Sequence, residues 1–95
     1  MSQLTEALKK YGFFCGIELE VYILDTGYFT SLIIEGTKQQ GRYPYLYDFY
    51  KKPFYPFRQN KITVYGEKLT PAQLLQRVER YFTNRKKYTD KRRTK

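Results

Sequence analysis

Tyr43, Tyr45, Tyr47 and Phe49 occupy every second position of one short stretch, and Tyr50, Phe54, Tyr55 and Phe57 follow within eight residues. Eleven tyrosines and seven phenylalanines make up the aromatic content of this 95-residue chain, so eight of its 18 rings lie between positions 43 and 57. Tyrosine outnumbers phenylalanine, which suits rings that stand partly in water while offering a flat apolar face. Directly after this stretch the charge changes. Residues 1–57 carry six Lys/Arg and six Asp/Glu, whereas residues 58–95 carry twelve and three, so the whole formal net charge of +9 arises in the second segment. Flat π-faces beside concentrated cations are what a single-stranded nucleic acid requires of its binder, because bases stack on rings and phosphates pair with cations.

The residues that carry this expectation fall into two sets. Tyr43, Tyr45, Tyr47, Tyr50 and Tyr55 are the candidate stacking platform. Lys51, Lys52, Arg58, Lys61, Arg77, Arg80, Arg85, Lys86, Lys87, Lys91, Arg92 and Arg93 are the candidate phosphate contacts, which bind by releasing counterions. Phe13, Phe14, Phe29, Phe49 and Phe82 are assigned instead to the core. A second expectation comes from the same composition. Exposed Tyr, Phe and Arg are also what protein–protein hot spots are made of. The alternative function is therefore an accessory or inhibitory subunit docking on a larger nucleic-acid enzyme such as a polymerase, primase, helicase or nuclease, of the kind that phages and mobile elements encode.

Other chemistries lack their parts. The chain contains no histidine and one cysteine, which removes the commonest general base and the usual structural zinc site. It has no phosphate-cradling glycine loop. Glu18 and Glu20 lie two apart and could hold a cation, but a solvated strand face explains them. Asp48 sits among rings, where a carboxylate accepts hydrogen bonds from tyrosine hydroxyls or backbone. Cys15 reads as a small hydrophobe in an apolar stretch. No catalytic residue, metal or cofactor is expected. The first residues have neither the basic nor the apolar region of a signal peptide, and no apolar run approaches the ~20 residues of a membrane span. The expected setting is cytoplasmic, with no membrane partner.

The elements that must position these groups follow from periodicity. Leu4, Ala7, Leu8 and Tyr11 give residues 3–10 one apolar helical face, with Ser2 as N-cap and Gly12 past the end. Residues 17–24 alternate, which assigns Ile17, Leu19, Val21 and Ile23 to the core face and Glu18, Glu20 and Tyr22 to the outer one. With the turn at Asp25–Gly27 and a second strand from Phe29 to Glu35, residues 17–35 form a β-hairpin. Gly36 to Gly41 is a polar loop. The aromatic strand follows as an edge strand, because Pro44 cannot donate to a ladder. Residues 51–58 are a proline-stiffened loop, and Ile62–Tyr65 is a further strand. Thr70, Pro71 and Gln73 open a second helix with a capping box. Its Leu74, Leu75, Val78, Tyr81 and Phe82 face the core, and Arg77, Arg80, Asn84 and Lys87 form a basic stripe opposite. The fold class is α+β: a small single domain, residues 1–84, of three or four antiparallel strands with an N-terminal and a C-terminal helix. A basic flexible tail, residues 85–95, completes it. The alternative is a partly open SH3- or OB-like barrel plus a helix.

Overall fold

The computed structural model describes residues 2–41, 45–56 and 60–93, with side chains through residue 85. Seven elements follow in order: α1 (Gln3–Lys10), β1 (Phe14–Ile17), β2 (Val21–Gly27), β3 (Thr30–Lys38), β4 (Tyr45–Pro53), β5 (Thr63–Leu69) and α2 (Pro71–Arg93). The class is α+β, with a helix at each end of a five-stranded antiparallel sheet. Each strand pairs with its sequence neighbour, so the spatial order is β1-β2-β3-β4-β5.

Both helix starts follow local chemistry. The Ser2 side chain accepts from the Thr5 backbone N–H at 3.1 Å. Gly12, at φ +101°, turns the chain out of α1, and its N–H donates to the Lys9 carbonyl at 2.9 Å. At α2 the capping box is reciprocal. The Gln73 N–H donates to Thr70 Oγ1 at 3.3 Å, and the Thr70 N–H donates to Gln73 Oε1 at 3.0 Å.

The helices cover one face of the sheet. The core between them holds Leu4 and Leu8 of α1, Leu74 and Val78 of α2, and Tyr22, Leu32, Ile34, Tyr47, Phe49 and Leu69 from the strands. Tyr22 pairs with Ile34 and Ile34 with Phe49, which makes one cross-strand row of buried side chains. Each buried ring removes roughly 150–250 Å² from water, worth about 4–6 kcal/mol at ~25 cal/mol/Å².

Of the residue 17–24 run, Leu19 packs against the core and Glu18 is exposed, as assigned from sequence, but Ile17, Val21, Tyr22 and Ile23 take the opposite faces. Tyr22 is fully buried, and Ile17, Val21 and Ile23 lie on the side without helices. The reason is hydrogen bonding. The Tyr22 hydroxyl pairs with Thr5 Oγ1 at 2.7 Å and accepts from the Leu19 N–H at 2.9 Å. Leu19 is left-handed at φ +67°, so the run breaks there into a turn, and β1 becomes a strand of its own. Glu18 belongs to this knot: it accepts from the Ser2 N–H at 2.9 Å and from Thr5 Oγ1 at 3.1 Å. Those bonds, the Ser2 backbone donor first, hold its carboxyl below the usual range. Glu18 thus fastens α1 to the β1–β2 turn.

Four further expectations change. Strand β3 runs through Gly36 to Lys38, into the span read as a loop. Gly36 is required there because a Cβ would strike the Leu19 carbonyl and the Tyr47 ring. Strand β4 pairs on both sides and continues to Pro53, so it is interior rather than an edge. Pro44 lies outside the described residues. Phe14 and Phe29 are exposed, not core. Helix α2 continues past residue 84 to Arg93.

Candidate nucleic-acid interface

Strand β4 ends its buried run at Phe49, and two residues on Lys51 leaves the same face of the sheet, where it pairs with Leu32 and Thr63. Tyr65 follows on β5. Helix α2 crosses this corner and turns Arg77, Arg80, Tyr81, Asn84 and Arg85 toward it. Together these residues line a groove of about 590 Å³. Four of the seven are cations and none is a carboxylate. Arg77, Tyr81 and Arg85 are spaced four apart, which stacks them along one helix face.

The tyrosines are set by packing. Tyr65 and Tyr81 meet edge to face at 5.2 Å, and both lie against Phe49. Tyr81 continues to Phe82, and Phe82 to Phe13 and Tyr11, so a chain of rings runs from the α1–α2 contact to the groove. Arg85 Nη1 donates to the Tyr81 hydroxyl at 3.3 Å. Burial raises the Tyr65 phenol, the neighbouring Tyr81 adds to this, and Arg85 works against it. Both tyrosines are half-buried, with part of each ring open to the groove.

Of the residues singled out from sequence, Lys51, Arg77, Arg80 and Arg85 come together here. The rest are dispersed. Tyr47 is a correction: at 1% exposure it is core, held over Gly36, and it offers no platform. Burial pushes its phenol up to about 12. Tyr45 is half-buried against it, with ring centroids 6.5 Å apart. The period-two spacing puts Tyr45, Tyr47 and Phe49 on one face, and that face is the one the helices cover. Tyr50 points to the other face, where its hydroxyl donates to Glu35. Lys52 also lies there, over the Phe54 ring. Tyr55 packs near Phe29 in the loop after β4, and Lys61 is exposed ahead of β5. Tyr43 and Arg58 lie outside the described residues, as do the side chains of Lys86, Lys87, Lys91, Arg92 and Arg93.

Sequence reasoning missed Tyr65 and Tyr81 as site residues. The available signal was a tyrosine at an apolar helix position with arginine four residues before and after it. A core position that keeps a hydroxyl between two cations marks the border of a core, not its centre.

The uncharacterized protein YddA of Bacillus subtilis (strain 168) is 30% identical over 84 residues, an alignment spanning 87% of this chain and 82% of that protein. The chain belongs to the YddA family. No protein-family model and no solved structure matches it. The aligned length of this YddA-family chain is close to the extent of the sheet and helices together. Among the described residues, no helix of this family member is long and apolar enough to cross a membrane.

Proposed function

We propose that this protein binds nucleic acid without catalysing a reaction on it, and that it holds a single strand of DNA or RNA in the groove between α2 and the β4–β5 corner. The observation that carries this reading is the convergence of Lys51, Arg77, Arg80 and Arg85 on the half-open rings of Tyr65 and Tyr81, with no carboxylate in the lining. Cations of this kind hold the phosphates, and a base that enters the groove stacks on a tyrosine face. The groove opens beside an edge strand, so the nucleic-acid strand can run past on either side. The sequence from Lys86 to Lys95 adds further cations after Arg85. The setting that suits this role is the cytoplasm.

The test is fluorescence anisotropy with labelled single-stranded and duplex oligonucleotides over a salt series. Binding that favours the single strand and weakens steeply with salt supports the reading. Equal affinity for duplex, or a flat salt response, removes it.

A further inference from the structure

The face of the sheet without helices carries an unbroken apolar row. Phe14 pairs with Ile23, Ile23 with Ile33, Ile33 with Tyr50, and Tyr50 with Val64, one residue from each strand. With strands ~4.8 Å apart, the row is about 19 Å long. Ile17 and Val21 lie beside one end and Ile62 beside the other. Phe14 is 71% exposed, and Ile17, Ile62 and Val64 are each above half exposed. An open antiparallel sheet face normally carries polar side chains. Contiguous apolar surface of this kind marks an interaction site.

The charge around the row decides what fits it. Asp25, Glu35, Asp48 and Glu67 surround it, and Lys52 lies on the same face. Four of the chain's nine acidic residues thus gather on one side of a protein whose net charge is +9. These acids repel phosphates, so neither nucleic acid nor an anionic membrane suits the face. A second copy docked face to face would set the same four acids against four more.

We infer that the helix-free face docks a segment of another protein that presents apolar side chains between lysines or arginines. The apolar row supplies the contact area, and Glu35, Asp48 and Glu67 orient the basic margins. This surface and the cationic groove lie on opposite sides of the sheet, so both can be filled at once. The protein then joins a nucleic-acid strand to a partner. The surface stands whether or not the groove binds nucleic acid.

The experiment uses two labelled synthetic amphipathic peptides with the same leucine face, one flanked by lysine and one by glutamate. Binding is followed by anisotropy, and the contact is mapped by amide chemical shifts of the full chain. The expected result is that the lysine-flanked peptide binds, shifts Ile23, Ile33 and Val64, and leaves Arg77 and Arg80 unmoved. The glutamate-flanked peptide should bind about tenfold more weakly, because like charges across an interface are penalised. Glu35→Lys with Glu67→Lys should reverse that order, with thermal unfolding confirming that the variant is folded. Equal binding of both peptides, no binding of either, or shifts confined to the groove would each overturn the inference. Self-association of the chain alone, abolished by Ile33→Lys, would overturn it in favour of a second copy.

Discussion

Replacing Arg77 and Arg80 together by alanine removes two of the four groove cations, and both side chains are exposed, so the core is untouched. The effect on binding can be worked from the groove itself. Each phosphate neutralised on a single strand contributes about −0.7 to the slope of log affinity against log salt, so four groove cations contribute about −2.8 and two contribute about −1.4. Between about 50 and about 200 mM salt, the groove of the unaltered protein should lose about 50-fold in affinity and that of the variant about 7-fold. Cations outside the groove add equally to both, so the difference between the two slopes isolates Arg77 and Arg80. The assay is anisotropy with a labelled single-stranded oligonucleotide at five or more salt concentrations. An unchanged slope, with weaker binding or without it, would refute the assignment of phosphate contacts to this groove. Circular dichroism of the variant should match the parent, because alanine favours the helix at least as well as arginine.

Tyr65→Leu keeps most of the apolar volume and removes the ring. It should weaken single-strand binding by about 1–3 kcal/mol, the worth of one stacked base, while leaving the salt slope unchanged. Gly36→Ala should cost ~1–3 kcal/mol in chemical denaturation, because the added methyl meets the Leu19 carbonyl and the Tyr47 ring. An undiminished midpoint would mean that β3 moves freely relative to the β1–β2 turn. Burial raises the phenols of Tyr47, Tyr50 and Tyr65 in the fold, Tyr47 to about 12 from an ordinary 10.0. The fold therefore favours their neutral forms. That stability is complete below the ordinary value and is lost as pH rises from there through about 12. Urea midpoints measured alongside tyrosinate absorbance should fall over that window, and a flat midpoint would contradict the burial of these hydroxyls.

Local signals predicted local features well. Ser2, Gly12, Thr70, Pro71 and Gln73 mark their helix ends by side-chain chemistry that needs no knowledge of the rest of the fold. The period-two spacing of Tyr45, Tyr47 and Phe49 identified a strand and a common face. What spacing cannot supply is which face the helices cover. Both faces of this sheet carry apolar side chains, so alternation in β2 fits either orientation, and the choice falls to the buried hydroxyl of Tyr22 and its partners on α1 and the turn. The same degeneracy misled the aromatic segment, where hydroxyl-bearing rings suggested exposure and Tyr47 proved to be core. Arg77 and Arg80 were legible as a helix stripe, but Tyr65 reaches them only through the β4–β5 pairing, which is tertiary information.

Pairing every strand with its sequence neighbour has a consequence for synthesis on the ribosome. Each hairpin can close as soon as its second strand emerges, and contacts of short sequence separation form fast. The last contributors to the core are Leu74 and Val78 of α2. Until they arrive, Tyr22, Ile34 and Phe49 stand on a finished sheet that has only the eight-residue α1 to shelter them. The nascent chain therefore passes through an interval in which both sides of its sheet are apolar and open. Chaperones and proteases would meet it in that interval, and the rate at which α2 docks sets how long the exposure lasts.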